Sequence, residues 1–145
     1  MSELHDALAD ALVEVLDGLD VRAYKWSQGG IKVPCAVIEL PTFRRTEPDQ
    51  PESRVGADDW RLDFPVIFYR EITSKAKPQA ELASTVERFI KAIDNLKPSS
   101  AGLILNDLCE DAKVVEADPF LVDSDKAQSR DLVGYETHVS LLAFQ

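Results

Sequence analysis

Four side chains of this sequence are the usual candidates for nucleophilic or acid–base chemistry: His5, His138, Cys35 and Cys109. Such catalysis needs a nucleophile beside a base that a third group orients. His5 falls in the first turn of a helical pattern, where we expect it to be solvated, and His138 falls on the polar side of a strand pattern. Both cysteines have apolar neighbours in sequence, so we expect two buried, unpaired thiols, although folding could bring a histidine to either one. No catalytic set emerges, and the sequence predicts that the protein is not an enzyme.

Motifs for metals and cofactors are also missing. The segment Asp123-Ser124-Asp125 begins like a calcium loop, but the required glycine and closing glutamate do not follow. Asp58-Asp59 is typical of a solvated loop. Gly29-Gly30 follows a short strand pattern without opening a helix, so it predicts a turn rather than a phosphate-binding loop. Carboxylate pairs for glycoside chemistry cannot be selected by pattern among 26 acidic residues. We therefore expect no cofactor and no bound metal.

The bulk properties are those of one acidic globular domain spanning residues 1–145. Sixteen basic and 26 acidic residues give 16 − 26 = −10, and the basic residues are scattered, which argues against direct nucleic-acid binding. No apolar run reaches the roughly 20 residues of a membrane span. The acidic start is unlike a signal peptide, and reduced cysteines suit a reducing compartment, so we expect a soluble protein that stays where it is made.

Two segments show the apolar period of a helix. The first should begin with Ser2 as N-cap and stop at Gly18. Its apolar stripe consists of Leu4, Leu8, Leu12, Val15, Leu16 and Leu19. The second should begin between Thr73 and Pro78 and end at Lys97-Pro98. Its stripe consists of Leu82, Val86, Phe89, Ile90 and Ile93.

Several segments show strand patterns. They cover residues 21–26, 35–40, 60–69, 112–117 and 133–144. The run 35–40 is apolar throughout, which is typical of a strand covered on both faces. We expect the same of Val66–Tyr69, and Pro65 before it predicts a bulge or a sheet edge. Leu103–Leu105 fits neither type of element. The last two strands should form a hairpin across the polar connection that begins at Asp123.

Residues 46–59 form a long polar segment between two strands, rich in proline and acidic residues. A loop of this length is either functional or disordered, so it is an assembly arm or a disordered hairpin tip. Taken together, the elements predict an α+β fold in which a mostly antiparallel sheet packs against two main helices, with this polar arm between central strands.

The layout of the whole chain resembles the tail terminator proteins of long-tailed bacteriophages. The resemblance runs from the helix around Leu8–Leu12 through the strands at 21–24 and 34–38. It continues through the polar loop before Trp60, the strand at 62–66, the second helix and the closing strand at 135–139. It lies in the order of elements, because this family has no short active-site motif.

The resemblance implies a structural virion protein. Its copies would close into a ring, expected to be a hexamer, that caps the tail tube, stops its polymerisation and offers a docking face to the head. The implied partners are copies of the chain itself, the tail-tube protein and a head–tail connector or neck protein. DNA passes through such a ring, and no membrane is involved. The protein would assemble in the host cytoplasm and end at the head-proximal end of the tail.

Interface residues are expected around the arm, because an arm reaching to a neighbouring subunit is one route to a ring contact. The candidate contact residues are Arg44, Arg45, Glu47, Asp49, Glu52 and Arg54. Two other functions stay open at this point: another head–tail joining, neck or tail-completion protein, and a cytoplasmic small-molecule-binding domain.

Overall fold

The computed structural model describes residues 3–26, 31–45, 59–72, 78–122 and 132–144. Within these ranges the chain forms two α-helices and six β-strands. In chain order the elements are α1 (Leu4–Gly18), β1 (Ala23–Lys25), β2 (Cys35–Ile38), β3 (Thr42–Arg45), β4 (Asp59–Glu71), α2 (Pro78–Asp94), β5 (Asp111–Val122) and β6 (Leu132–Phe144).

The strands form one sheet in the order β1-β2-β4-β6-β5, and β3 pairs with β4 beside β2. The short β1 runs parallel to β2, and all other neighbours are antiparallel. The two longest strands, β4 and β6, pair along their full lengths and form the centre of the sheet. The predicted α+β fold with a mostly antiparallel sheet is confirmed, and so is the closing hairpin of β5 and β6.

One face of the sheet carries the core. In β4 the side chains of Leu62, Phe64, Val66 and Phe68 are buried and alternate with half-buried residues. Both helices pack on this face, and their apolar stripes join one buried cluster with the sheet. The expectation that both faces are covered at the end of β4 is wrong, because Ile67 and Tyr69 on the opposite face are only half-buried. That opposite face is called the uncovered face below.

Helix α1 ends at Gly18, as the glycine pattern predicted. Gly18 is the last helical residue, and Asp20 adopts the left-handed conformation with φ 59°. The amide of Val21 donates to the carbonyl of Leu16, and that of Asp20 donates to Asp17, each at 3.0 Å. This pair of bonds is the Schellman motif, in which glycine is the usual left-handed residue. At the other end Glu3 is the N-cap, and the expected cap Ser2 lies outside the described residues.

Pro65 interrupts neither β4 nor its pairing with β6. The register with β6 runs without a shift from Asp59 to Glu71, so there is no bulge in that pairing, and on the other side Pro65 falls between the residues paired with β2 and those paired with β3. The carbonyl of Pro65 accepts a hydrogen bond from the amide of Glu39, which places the missing N–H of the proline on that same side. Because proline has no N–H, the reciprocal bond from Pro65 to Glu39 cannot form, and this missing bond falls where the chain passes from β2 to β3.

The cysteines lie in separate places. Cys35 starts β2, whose four residues are all buried as the apolar run predicted, and Cys109 belongs to the helix-side core. Both are buried and free, which confirms that expectation. Before Cys109, the unassigned stretch forms a single bridge from Ile104, followed by three left-handed residues, Leu105, Asn106 and Asp107.

Candidate assembly surface

The base of the polar arm is the pair of strands β3 and β4. Arg45 is the last β3 residue and lies opposite Trp60, so the chain between them, residues 46–59, forms the arm. The guanidinium of Arg45 lies 4.8 Å from the centre of the Trp60 ring, within the range of a cation–π contact. Residues 46–58 themselves lie outside the described residues, and with them the predicted contact residues Glu47, Asp49, Glu52 and Arg54.

A row of aromatic rings ties this base to the rest of the domain. Phe43 of β3 packs edge-on against Trp60, with ring centroids 6.4 Å apart. His5 at the start of α1 lies 6.2 Å from Phe43 and 5.9 Å from Trp26 after β1. His5 is therefore half-buried among rings rather than solvated as expected. The contacts join β1, β3, β4 and α1, so the base of the arm has a fixed position on the domain.

The two described arginines of the predicted contact set, Arg44 and Arg45, do not form one patch. Arg45 lies on the helix side with Trp60, whereas Arg44 is opposite Arg61 on the uncovered face. Arg61 donates a hydrogen bond to Ser140 Oγ at 3.0 Å. Placing two guanidiniums opposite each other across two strands is unfavourable unless an anion lies nearby. Any single partner surface would meet one of Arg44 and Arg45, not both.

Large apolar side chains are exposed beside the arm. Leu40, between β2 and β3, is 66% exposed, and Phe43 is 52% exposed. All four residues of β3 are exposed, and in the described part of the chain β3 pairs with β4 alone. An open strand edge with exposed apolar side chains is a surface that favours contact with another chain. The sequence pattern missed this site, because four residues with one aromatic are too short a strand signal.

The two outer edges of the sheet differ. Strand β1 has only three residues, whereas β5 has twelve. The Glu110 amide donates to the Leu142 carbonyl, so the backbone groups of Leu142 face β5. Since alternate residues of a strand face the same side, the other even-numbered residues of β6 also face β5. Pro119 is opposite Tyr135, an odd-numbered residue, so this pair makes no hydrogen bond and the Pro119 nitrogen faces the open edge. The register of β5 also shifts near Val115. A proline and a bulge discourage backbone pairing at an edge, so β5 is suited to side-chain contacts.

The groups that could do chemistry remain apart. His138 lies on the uncovered face, as expected, and its Nε2 is 3.2 Å from Glu136 Oε2. Burial raises the pKa of the Cys109 thiol to about 12, and the charge of Asp111 adds to this. Among the described residues no three His, Cys, Asp or Glu side chains form a group that could hold a metal ion. Neither helix in the described ranges is long and apolar enough to cross a membrane.

Comparison with known proteins gives one informative likeness. No protein-family model matches the chain, and no curated protein matches it. Among solved structures, the chain is similar to a chain of the virion of a native gene transfer agent (GTA) particle. The TM-score is 0.55 at 12% sequence identity, and the match covers 97% of this chain and 94% of that chain. The two chains share a fold over nearly their whole lengths.

Proposed function

We propose that this chain is a structural virion protein that acts as a tail terminator. In this role its copies form a ring, with six subunits, on the finished end of the tail tube. The ring stops tube polymerisation and presents a docking face to the head–tail connector. The observation that carries the proposal is the fold shared with a virion chain. The match covers 97% of this chain and 94% of the virion chain, so neither chain has a large domain outside it.

The surface of the domain supports a role in assembly. A closed ring requires two different patches on each subunit, so that one patch meets the other patch of the next copy. The exposed β3 edge with Phe43 and Leu40 offers one contact region next to the arm. The sheet margins at β1 and β5 lie on opposite sides of the sheet. The domain therefore presents separate surfaces to neighbours, as a ring subunit must.

The charge of the chain fits a channel through which DNA passes. The net charge is −10, and acidic residues outnumber basic ones on the uncovered face. The register places these acids there: Asp63, Glu71, Asp111, Glu116, Asp118 and Glu136. The basic residues of that face are Arg44, Arg61 and Lys113. A surface of this sign repels phosphate backbones. A channel lined by lysine and arginine in an image of the ring would contradict this part of the proposal.

The experiment is electron microscopy of the purified protein, alone and mixed with its cognate tail-tube protein. The proposal predicts ring-shaped particles, free or seated on one end of the tubes. Imaging with tubes is needed because a terminator can stay monomeric until it meets the tube. A chain that binds a head–tail connector but never a tube end would instead be a neck protein. A monomer that leaves tubes unbound and retains a metabolite would contradict the assembly role.

A further inference from the structure

Three arginines that are far apart in the sequence converge on one cavity. The cavity has a volume of about 180 Å³. It lies where α1 turns into β1, beside the start of β2, the end of β4 and the middle of α2. Its lining includes Arg22, Arg70 and Arg88, each from a different element. The lining also includes one acid, Asp20, so in a chain of net charge −10 the excess of guanidiniums makes this concave site a local reversal of sign.

Two of the three guanidiniums have partners within the chain. Arg70 forms an ion pair with Glu81, and Arg22 donates to the carbonyl of Lys32 at 3.3 Å. Arg88 lies two turns after Glu81 on α2, and within the described ranges it has no ion-pair partner. Because Arg88 lines the cavity unpaired, it is free to bind a carboxylate in the bidentate geometry that arginine prefers.

The charge of Arg22 acts on Cys35, which also lines the cavity. Burial raises the pKa of the Cys35 thiol above its usual range, and the positive charge of Arg22 opposes that shift. The volume is smaller than that of pockets for drug-sized ligands, which begin at roughly 300 Å³. The cavity therefore fits a side-chain-sized anion.

A matching anionic surface lies at the other margin of the same sheet. Glu116 and Asp118 of β5 lie opposite His138 and Glu136 of β6, all on the uncovered face. Asp118 raises the pKa of Glu116 through a hydrogen bond, which requires one of the two carboxyl groups to be protonated, and through its charge, whereas His138 opposes this shift. The three acidic side chains are exposed, and an approaching guanidinium would favour their charged forms.

We propose that the cavity between Arg22, Arg70 and Arg88 receives carboxylates of Glu116, Asp118 and Glu136 from a second copy of this chain. This rests on the proposed ring, and it names the contact that joins neighbouring subunits. The cavity is lined by Arg22, just before β1, and by Cys35 at the start of β2, whereas the acidic surface borders β5, so the two patches lie towards opposite edges of the sheet. A contact between two different patches on opposite margins is head-to-tail, the type that closes into a ring. Pro119 and the β5 bulge discourage backbone pairing there, which leaves side chains to form the contact.

The test uses two single charge reversals, Arg88→Glu in the cavity and Asp118→Lys on the acidic surface. Alone, each variant places like charges in every contact, so the subunit concentration for half-assembly should rise at least about tenfold. In an equimolar mixture every contact is again complementary when the two variants alternate, and a six-subunit ring closes with this alternation. The mixture should return to within about threefold of the wild-type concentration. Sedimentation velocity from low to high micromolar protein measures this, with and without tubes.

Matched controls reverse exposed charges elsewhere on the domain. Lys97→Glu and Asp94→Lys lie near the end of α2 and should assemble like the wild type. Circular dichroism and urea unfolding confirm that all four variants are folded. If the wild type forms rings and both charge-reversal variants assemble normally, the proposed contact is wrong, but the proposed tail role is not contradicted. Loss of assembly without recovery on mixing also overturns the contact. A wild-type chain that stays monomeric alone and on tubes overturns both.

Discussion

Removing the arm should separate folding from assembly. The perturbation deletes residues 47–57 and changes Asp59 to Gly, so that Thr46, Asp58 and the new glycine join β3 to β4. Three-residue hairpin loops with a left-handed final residue are a common connection. The last register pair, Arg45 with Trp60, stays in place together with its 4.8 Å cation–π contact. The base of the arm should therefore be preserved.

The expected change in stability follows from loop closure. Shortening the connection from fourteen residues to three lowers the entropic closure cost by (3/2)RT ln(14/3), about 1.4 kcal/mol. With a urea m-value of about 2 kcal/mol/M, the unfolding midpoint should rise by about 0.7 M. If the arm contacts a neighbouring subunit or the tube, ring formation and tube binding should be lost although the domain is more stable.

The assays are urea unfolding followed by circular dichroism, and electron microscopy of the variant with tubes. A control chain carries eleven Gly and Ser residues in place of 47–57, which keeps the length and removes the chemistry. It should also fail to assemble. Normal assembly of the deletion variant would refute the arm as a contact and make it a hairpin tip without a role. A fall in stability of more than about 2 kcal/mol would show that the arm packs on its own domain.

Three further predictions concern stability. Asp20 is left-handed at the end of α1, so Asp20→Gly should raise the free energy of unfolding by about 0.5–1 kcal/mol, whereas Asp20→Ala should lower it. Asp20→Asn is the control for the loss of charge, and urea unfolding midpoints measure all three variants. Leu12→Asp and Phe89→Asp should each unfold the domain, seen as loss of the circular dichroism signal, because both side chains are fully buried and an unpaired charge there costs several kcal/mol. Because the pKa of Cys109 is raised from 9.0 to about 12, the folded state favours the protonated thiol. The contribution of this thiol to the free energy of unfolding is complete below pH 9 and should fall by about 1.4 kcal/mol per pH unit between pH 9 and 12. Urea unfolding at pH 8 to 10.5 measures that slope, and a slope unchanged in Cys109→Ala would contradict this assignment.

The parts of the fold with a strong period were predictable from sequence. The stripe of α1 and the alternation of β6 each repeat over enough residues to outweigh local exceptions. The exceptions are prolines, which locally argue against a strand. Pro119 lies within β5, beyond the predicted end at Ala117, and Pro65 lies within β4. The Pro119 nitrogen faces the open edge of the sheet, and the Pro65 nitrogen faces the place where the chain passes from β2 to β3, and only the sheet topology reveals that.

The candidate contact sites were less predictable for a related reason. Arg22, Arg70 and Arg88 are scattered along the sequence, and only the turn after α1, the end of β4 and the middle of α2 bring them to one cavity. Likewise, the rings of His5 and Phe43 meet because the start of α1 lies next to β3. With four residues, β3 is too short to be detected by its sequence pattern. Long-range convergence of this kind has no periodic signal in a single sequence.

The most direct measurement of the central claim is the length distribution of tail tubes. The cognate tail-tube protein is polymerised with increasing amounts of this chain, and tube lengths are measured by electron microscopy. If the chain is a tail terminator, the mean length should fall as its concentration rises, and a ring should be visible at one end of the capped tubes. Tubes of unchanged length with bare ends, at a concentration where the chain is folded and in excess, would contradict the account.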